Sequence, residues 1–521
     1  MAVTQQEIEN RLWDAADELR VAMPEAQYSS VVFPLMFWKY LSDTWEYRRQ
    51  EFQAENQGLD YSAEEAHEIE YRDYQSFDIP FIHPGTVQER RASWASILAT
   101  ITRPGLGQRV RASLQAIETA NPDKFSRIFG AMTWTAEEVL SGEVLAAVMQ
   151  AMDRVPKMHE GNMSYDVLGG AYEYLLKRFS DGSGTRAGQF FTPREVVELI
   201  VEVLDPENRE SVYDPTCGSG GMLIASANLL KARNKRGYTL KLHGQEAVPD
   251  TAGVARMNLF MHNLTDFKVE VGDTLKDPRF KKSDGSVAQF DVIVANPPYS
   301  LKWKPWSKDP RALGGVAPQW SADWAFVQHM IASMGPKKGR AGVVLPHGVL
   351  FRGGQEAAIR QRVLDDDLLE AVIGLPANLF YNTSIPTAIL VFRAPGTKER
   401  QGDVLFIDAS KRFTKAKNRN ILTVADIADV VAAYKSKFDA DGNPVDPGGE
   451  GALPARFVPT TEIVANEYDL NIGRYIKQAA AEQEDLGTLI DAYNIARAER
   501  QKAEERMLAV LAAAGIEGFD E

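Results

Sequence analysis

From about residue 165 onward, short apolar segments alternate with segments of helical periodicity, and this alternation constrains the fold more than any other feature. The candidate strands are SVYD (211–214), LKLHGQE (240–246), FKVEVGD (267–273), FDVIVAN (290–296), AGVVLP (341–346), LEAVIGLP (369–376) and TAILVFR (387–393). Helical patterns such as 221–233 and 355–365 lie between most of them. Such alternation is typical of βαβ units and predicts an α/β fold with a doubly wound, mostly parallel sheet.

The end of this series departs from the pattern. Too few residues separate 369–376 from 387–393 for a helix, so we predict that these two strands pair antiparallel at the sheet edge. VLFIDA (404–409) is a further candidate strand. The stretch 438–455 is rich in glycine, proline and aspartate, which is typical of an exposed loop or linker.

Both flanks of the α/β region have helical patterns. Near the N-terminus, Leu12, Ala16 and Leu19 recur at helical spacing, and residues 31–49 form a strongly apolar helix pattern. Near the C-terminus there are two apolar stripes, Leu486, Leu489, Ile490 and Tyr493 in one and Met507, Leu508 and Leu511 in the other. We therefore predict four regions: a helical domain at 1–160, an α/β domain at 161–400, a strand and linker extension at 401–474 and a helical tail at 475–521.

Composition excludes several classes of protein. No segment is apolar enough to span a membrane, and the polar N-terminus lacks a secretory core. The single cysteine, Cys217, excludes an internal disulfide and fits a reducing, cytoplasmic location. The 7 histidines show no metal-ligand spacing, so we predict no bound metal.

The formal net charge of -14 argues against a broad basic face that holds nucleic acid unaided. Four local basic segments exist, namely 231–236, 278–282, 302–311 and 411–419. Taken alone, each is typical of a solvated loop. If nucleic acid is the substrate, we expect a partner to supply much of the binding.

The segment VYDPTCGSGGML (212–223) predicts a ligand site at the end of the first strand. Gly218, Gly220 and Gly221 form a turn of small residues that opens into a helix, where backbone N–H groups can approach a ligand closely. The segment lacks both the GxGxxG spacing and the lysine and hydroxyl pair of a P-loop. We interpret Cys217 as a small side chain tolerated in the turn, since no histidine partner supports a nucleophile.

Three successive candidate strands end in an acid: Asp214, Glu246 and Asp273. The carboxyl ends of parallel strands meet at one edge, which is where ligands bind in open α/β sheets. An acid at the position of Glu246 commonly accepts hydrogen bonds from ribose hydroxyls. The three acids therefore predict a nucleoside-binding edge.

A helix is predicted just before this region, in the segment GQFFTPREVVELIVEVL (188–204). Thr192 is a favourable N-cap and Pro193 a favourable first helical residue. Phe190 and Phe191 lie in the preceding loop, where exposed aromatic rings can cover a ligand.

The fourth strand runs into Asn296, Pro297, Pro298 and Tyr299. Prolines remove N–H groups and leave carbonyls free to accept, the Asn296 side chain adds another acceptor, and Tyr299 offers a flat face. Converging acceptors beside a ring fit a planar group with an exocyclic NH₂. Adenine, cytosine and a carboxamide all satisfy this description.

The order of these segments resembles the S-adenosylmethionine-dependent amino-methyltransferases of the adenine-N6 DNA type. In particular, the chain resembles the modification subunit of type I restriction-modification systems. The resemblance covers about 165–400 and both flanks. It rests on a helical N-terminal region followed by QFFTPR, DPTCGSGG, GQE, NPPY and EYDLNIGRYI (467–476).

The resemblance implies a role for each motif. Asn296, Pro297, Pro298 and Tyr299 would hold the target base, Asp214 would lie near the methionine part of the cofactor, Glu246 would bind its ribose and Asp273 would lie near its adenine. The remaining cofactor contacts would come from Gln189, Phe190, Phe191, Thr192, Pro193, Arg194, Gly218, Ser219, Gly220 and Gly221.

The resemblance also implies partners, because the chain has no recognisable target-reading domain and no Walker motif. A separate specificity subunit would read double-stranded DNA, two copies of the modification subunit would clasp it, and a restriction subunit would complete the complex. We expect the helices after about 475 to dock on the specificity subunit. Other acceptors (RNA, protein glutamine or cytosine N4) and a non-catalytic assembly role remain as alternatives.

Overall fold

The computed structural model describes residues 4–57, 70, 75–82, 90–182, 192–233, 239–306, 308–380, 384–417, 419–445, 452–476 and 486–513. By its internal contacts, the chain falls into two compact units, Met1–Ile472 and Gly473–Glu521. The larger unit contains both the helical N-terminal region and the sheet.

The described helices are α1 Gln5–Asp17, α2 Ser29–Glu55, α3 Trp94–Leu98, α4 Leu106–Ala120, α5 Pro122–Phe125, α6 Gly142–Asp153, α7 Tyr165–Gly182, α8 Arg194–Leu204, α9 Gly221–Arg233, α10 Pro249–Met261, α11 Asp323–Ala332, α12 Gly348–Phe351, α13 Gln355–Asp365, α14 Val424–Tyr434, α15 Thr460–Ala465, α16 Ile472–Tyr475 and α17 Leu486–Ala513. The first six belong to the predicted helical region. The apolar helix predicted at 31–49 is the middle of α2, which is buried on all sides from Val31 to Trp45. A helix that is apolar all round forms the centre of a core, and α1, α4, α6 and α7 contribute side chains to that same core.

The main sheet consists of β1 Ser211–Asp214, β2 Lys241–Glu246, β3 Phe267–Val271, β4 Val292–Ala295, β5 Arg340–Pro346, β6 Leu369–Gly374, β7 Thr387–Arg393, β8 Asp403–Asp408 and β9 Ala455–Pro459. Their order across the sheet is β9-β8-β6-β7-β5-β4-β1-β2-β3. Strands β1 to β5 are all parallel, and Asp214 pairs with Gly244 while Ala295 pairs with Val343. Two-residue strands outside this sheet pair Phe81–Ile82 with Arg90–Arg91 and Thr414–Lys415 with Asn420–Ile421.

The sheet is doubly wound, as predicted. From β1 the chain moves through β2 and β3 to one side, then returns through β4 and β5 on the other. Val212 packs in the core with α8 and α9, whereas the adjacent Tyr213 faces the opposite side, where its hydroxyl lies 3.1 Å from His329 on α11. This alternation of side chains places helices on both faces and a topological switch point between β1 and β4.

The antiparallel pairing of β6 and β7 was predicted correctly, but its position at the sheet edge was wrong. Strand β7 lies inside the sheet, between β5 and β6, and it is antiparallel to both. All seven residues of β5 are buried, and Thr387 to Phe392 of β7 are buried as well. Burial on both faces explains why these strands are continuous apolar runs and gives no local sign of their order.

The sheet extends beyond the strands that the sequence predicted. Strand β8 pairs parallel with β6, and β9 pairs antiparallel with β8 at the actual edge. Sequence analysis missed β9, which starts at the end of the segment interpreted as a linker. Only part of that segment is described, because 446–451 lie outside the described residues.

Helix α17 belongs to the smaller unit. It has 28 residues, and among those of its side chains that the structure describes, Tyr493, Ile495 and Met507 are apolar and exposed. The two apolar stripes predicted near the C-terminus therefore lie on a single helix.

Candidate active site

The glycine turn between β1 and α9 has the backbone that its residues require. Gly218 and Gly220 have φ values of 52° and 83°, in the left-handed region that glycine adopts without a steric penalty. The Gly220 N–H donates to the Cys217 carbonyl at 2.7 Å and closes the turn. Gly221 begins α9, and a side chain there would meet no atom within 4 Å.

Cys217 fills space beneath this turn. Its thiol is buried, and burial raises its pKa well above the ordinary range, with the nearby acids adding to the effect. A Cβ on Gly244 of the neighbouring strand would come within 2.9 Å of the Cys217 sulfur. The cysteine is therefore a packing residue opposite an obligatory glycine, consistent with the sequence interpretation.

Asp214 ends β1 in a buried position. One of its carboxylate oxygens accepts from the Thr216 N–H at 3.0 Å. Burial, reinforced by the negative charge of Glu246, raises the pKa of Asp214 to about 8. Such a carboxyl is suited to a cationic ligand that restores its ionised form.

Glu246 connects the end of β2 to the glycine turn. Its two oxygens accept from Gly218 N–H at 3.0 Å and Val248 N–H at 2.9 Å. Burial raises its pKa. Each carboxylate oxygen has a second lone pair, so both remain able to accept from ligand hydroxyls.

Asp273 follows β3 and organises the adjoining turn. One oxygen accepts from the Leu275 and Lys276 N–H groups at 3.0 and 3.1 Å, and the other pairs with the Lys276 ammonium at 3.0 Å. The neighbouring Thr274 hydroxyl donates to the Pro215 carbonyl at 2.5 Å. The loops after β1 and β3 are therefore in direct contact, as the common strand edge predicted.

The motif after β4 forms a polar cluster with the start of α8. The Asn296 amide nitrogen donates to the Thr192 hydroxyl at 2.9 Å, and the Tyr299 hydroxyl donates to the Asn296 carbonyl oxygen at 2.7 Å. Burial, followed by the charge of Asp323, raises the pKa of Tyr299, so its hydroxyl keeps its proton. Pro297 is buried and Pro298 half-buried, and Phe380 meets the Tyr299 ring edge-on at 6.0 Å.

The role predicted for Thr192 as an N-cap is wrong. Helix α8 begins at Arg194, Pro193 occupies the cap position, and no side chain caps the helix. Instead, the Thr192 hydroxyl accepts a hydrogen bond from the Asn296 side-chain amide. Arg194, the first helical residue, pairs with Glu198 at 2.8 Å.

Three of the predicted cofactor residues, Gln189, Phe190 and Phe191, lie outside the described residues. Their contacts with the cofactor stay a prediction.

A cavity of about 490 Å³ adjoins the glycine turn and the start of α8. Thr192, Arg194, Ser219 and Gly221 all line it, so four of the predicted cofactor residues surround one space. Asn258 also lines it and donates to the Ser219 carbonyl at 2.9 Å. The three strand-end acids, Asp214, Glu246 and Asp273, are not among its lining residues.

Two positioning groups were missed by sequence analysis. Gln245, next to Glu246, is fully buried and donates to the Gly272 and Asp277 carbonyls, both at 3.0 Å. The side-chain oxygen of Gln245 accepts from the backbone N–H of Arg279 at 2.9 Å. The available signal was the position of Gln245 inside a predicted strand, because a polar side chain that is buried there must be satisfied by several partners.

The second group is a set of buried side chains that contact one another in series: Tyr213, His329, Arg311 and Asp309. His329 lies 3.1 Å from both the Tyr213 hydroxyl and the Arg311 guanidinium. Burial and the charge of Arg311 lower the pKa of His329 to about 3, so the imidazole is neutral. Arg311 is paired with Asp309 at 2.7 Å. At its Arg311 end this network fixes the backbone just beyond β3, where the guanidinium donates to the Thr274 carbonyl at 3.1 Å.

The described part of the chain contains no cluster of three or more histidine, cysteine or acidic side chains arranged for a metal. Among its helices, none is long and apolar enough to cross a membrane.

This fold and this site together define the class: an α/β methyltransferase in which β4 runs into an Asn-Pro-Pro-Tyr motif at the switch point. The family model described as N-6 DNA methylase matches residues 163–485, and that described as HsdM N-terminal domain matches residues 8–152. The chain belongs to the N-6 DNA methylase family, and within it to the methylase subunits of type I restriction-modification systems.

Individual relatives agree. The type I restriction enzyme MjaVIII methylase subunit of Methanocaldococcus jannaschii is 38% identical over 348 residues, which make up 64% of this chain and 57% of that relative. The MpnII methylase subunit of Mycoplasma pneumoniae is 29% identical over 514 residues, covering 92% of this chain and 90% of that protein. The crystal structure of the type I methyltransferase subunit from Streptococcus thermophilus has 31% identity and a TM-score of 0.76, and covers 91% of this chain and 100% of that one.

Proposed function

We propose that this chain transfers the methyl group of S-adenosylmethionine to N6 of an adenine in double-stranded DNA, as the modification subunit of a type I restriction-modification complex. The observation that carries the proposal is the Asn296 cluster, which ends β4 directly beside the strand that leads into the glycine turn. Membership of the N-6 DNA methylase family supports it.

The residues at the glycine turn fit this cofactor. The Thr216 hydroxyl is buried and has no hydrogen-bond partner among the described residues, so it offers an unused polar group inside the site. Asp214 would face the cationic part, Glu246 the ribose hydroxyls and Asp273 the adenine. When bound, S-adenosylmethionine supplies a methyl group already activated by its sulfonium, so the protein needs no covalent nucleophile.

The protein would orient the adenine. The lone pair of adenine N6 is delocalised into the ring, which makes the amino group a poor nucleophile. We expect the Asn296 side-chain oxygen and the Pro297 carbonyl to accept the two amino hydrogens and direct the lone pair toward the methyl group. The Asn296 oxygen already accepts from Tyr299 but has a second lone pair for this bond.

The base must leave the duplex to reach this cluster, and we expect the Tyr299 ring to stack on it. One amino proton of N6 passes to solvent water once the N–C bond has formed. The contribution that we propose for the protein is therefore the positioning of the amino group by the Asn296 cluster.

The partners are part of the proposal. A separate specificity subunit would read the sequence, a second copy of this chain would clasp the DNA, and a restriction subunit would join the full complex. Helix α17 would help to dock on the specificity subunit. A cytoplasmic site of action fits a chain whose single cysteine is buried and reduced.

The test is methyl transfer from tritium-labelled S-adenosylmethionine by the chain assembled with its specificity subunit. Duplex DNA, RNA and a protein that presents glutamine are offered as parallel acceptors, and labelled DNA is digested to nucleosides. We expect label only in N6-methyl-2′-deoxyadenosine, released from the DNA. Label in RNA, in protein or in N4-methyl-2′-deoxycytidine would assign the site to another acceptor, and failure to bind the cofactor in calorimetry would indicate a non-catalytic subunit.

A further inference from the structure

The chain leaves Tyr299 through a long loop, described at 301–306 and 308–322, which we call the post-NPPY loop. Two tryptophans and a leucine of this loop are exposed: Leu301 (40%), Trp306 (41%) and Trp320 (53%). A single exposed apolar side chain is normal on a protein surface, whereas several in one loop beside a candidate site indicate a binding surface. The same loop contains the basic segment 302–311, which sequence alone did not distinguish from a solvated loop.

Hydrogen bonds hold the loop in a defined shape. The Trp303 indole N–H donates to the Pro318 carbonyl at 2.9 Å and joins the two limbs of the loop. The buried Gln328 amide donates to the Leu313 and Gly315 carbonyls at 2.7 and 2.6 Å. The exposed rings therefore project from an ordered scaffold.

Arg311 attaches one side of the loop to the cofactor side of the site. Its guanidinium donates to the Thr274 and Leu275 carbonyls at 3.1 and 2.5 Å, in the turn that follows Asp273. The Trp306 ring lies with its centroid 5.4 Å from the same guanidinium. Trp306 is thus held beside the ligand-binding edge of the sheet.

Trp320 is held beside the base-binding motif by a second arginine. The Arg352 guanidinium lies 5.6 Å from the Trp320 ring and donates to the Asp323 carboxylate at 3.2 Å. The other Asp323 oxygen accepts from the Ser300 N–H at 2.7 Å, and Ser300 directly follows Tyr299. A continuous chain of contacts therefore connects Trp320 to the motif.

The charge of the loop contrasts with that of the molecule. The chain has a formal net charge of -14. Three exposed lysines of the loop have no ion-pair partner within the described residues, namely Lys302, Lys304 and Lys308. Unpaired ammonium groups interleaved with exposed rings are typical of surfaces that follow a nucleic-acid strand.

We propose that the post-NPPY loop binds the DNA strand on either side of the extruded adenine. Its three lysines contact the flanking phosphates, and Trp306 and Trp320 stack against bases that lose a neighbour when the adenine leaves the duplex. This inference rests on the proposed function and extends it, because it assigns the strand-binding surface to the modification subunit itself. The specificity subunit then supplies sequence recognition.

The experiment measures DNA binding by the complex of this chain with its specificity subunit, at several salt concentrations. The variant replaces the three loop lysines with glutamine: Lys302→Gln, Lys304→Gln and Lys308→Gln. Each phosphate contact contributes about 0.9 to the slope of log K against log salt, so the slope should flatten by roughly 2 to 3. The matched control replaces three exposed lysines outside the loop: Lys241→Gln, Lys337→Gln and Lys437→Gln. It should keep the slope of the unmodified complex.

The tryptophans are tested by Trp306→Ala and Trp320→Ala, singly. We expect kcat/KM for an oligonucleotide duplex to fall about 10-fold or more for each, because base stacking contributes at this level. The affinity for S-adenosylmethionine should not change. Placing a base analogue with weak stacking beside the target adenine should reduce the difference between these variants and the unmodified complex.

The outcomes separate this inference from the proposed function. If the unmodified complex methylates adenine but the lysine variant keeps the full salt slope, the inference is wrong. If the lysine variant no longer co-elutes with the specificity subunit, the loop is a protein-docking surface and the inference is again wrong. An unmodified complex that binds cofactor but methylates no adenine in DNA contradicts the proposed function instead.

Discussion

Asn296 is the residue on which the proposed chemistry depends most. It lies between two hydroxyl groups, those of Thr192 and Tyr299, and these fix its amide at the end of β4. Sequence periodicity does not reveal that either hydroxyl contacts the Asn296 side chain. The amide is therefore pre-oriented before any substrate arrives, which reduces the free-energy cost of reaching the reactive geometry.

Replacing Asn296 with alanine should leave cofactor binding intact and reduce methyl transfer by ~100-fold or more, the range seen when a single oriented polar group is removed from an active site. Calorimetry with S-adenosylmethionine and single-turnover methylation of duplex DNA measure the two effects. Asn162→Ala, at an exposed asparagine just before α7, is the control and should behave like the unmodified chain. Near-normal turnover by Asn296→Ala would contradict its role.

Asp214 predicts a pH dependence of cofactor binding. With its pKa raised to about 8, the free protein holds Asp214 protonated at neutral pH, whereas a cationic ligand favours the carboxylate. Affinity for S-adenosylmethionine should therefore rise from pH 6 to about 8 and level off above that, with a proton released on binding. Titration calorimetry in buffers of different ionisation enthalpy measures both quantities. Asp214→Asn should bind more weakly and without the pH dependence.

The same carboxyl affects stability with the opposite sign. The unfolded chain ionises this aspartate near its ordinary pKa of 3.8, while the folded chain retains the proton up to about 8. The folded state therefore binds more protons between those values, and its contribution to the free energy of unfolding decreases as pH rises through that window. Asp214→Asn should remove this decrease in a series of denaturant titrations of the free protein.

At the level of single residues, the polar groups that end strands were predictable from the sequence. The hydrogen bonds between residues far apart in the sequence were not. Asp214 and Asn296 were recognisable because each ends an apolar run, and Glu246 because it ends a candidate strand. The bond between Thr192 and Asn296 spans 104 positions, and that between Arg311 and the Thr274 carbonyl spans 37. Contacts at that separation depend on how the elements pack, which local patterns do not specify.

At the level of elements, the strands were predictable and their order was not. The apolar runs that begin at 211, 369 and 387 start where β1, β6 and β7 start. Strand β7 pairs with β5 and β6, and all three are similarly apolar. Their sequences therefore do not indicate that β7 lies between the other two. Strand β9 escaped detection because an edge strand with one buried residue has little hydrophobic periodicity.

Helix α17 is the element for which docking on a partner is predicted. Its exposed apolar side chains include Tyr493 and Met507, at 65% and 51%. Truncation after residue 475 should abolish co-elution with the specificity subunit and leave the melting transition of the remaining chain in place, because residues 1–472 form a separate compact unit. Size-exclusion chromatography and differential scanning calorimetry measure these effects.

A pair of point variants tests the same helix without shortening the chain. Tyr493→Ser with Met507→Ser should weaken the complex, while Lys502→Ser with Glu505→Ser should not, since rim charges contribute little to an interface with an apolar centre. Co-elution of the truncated chain with its partner would contradict the docking role.

At the level of the whole molecule, the acidic net charge is compatible with a DNA substrate if other subunits and a local basic surface supply the DNA binding. A formal charge of -14 opposes nonspecific attachment to DNA and leaves affinity to the assembly and to a local surface beside the site. The helical region and the sheet share one compact unit, in which α10 packs against both α2 and β3. The candidate site therefore lies on the same compact unit as the helical region, and we expect a partner to position this unit on the duplex.

The central claim is that this chain methylates adenine N6 in DNA through the Asn296 cluster. The most direct measurement is base-resolution sequencing of N6-methyladenine in host DNA from four strains: intact, deleted for the gene, and the deletion complemented with the unmodified chain or with Asn296→Ala. We predict a sequence-defined set of methylated adenines that disappears on deletion and returns only with the unmodified chain. An unchanged methylation pattern in the deletion strain, or its full restoration by Asn296→Ala, would contradict the claim.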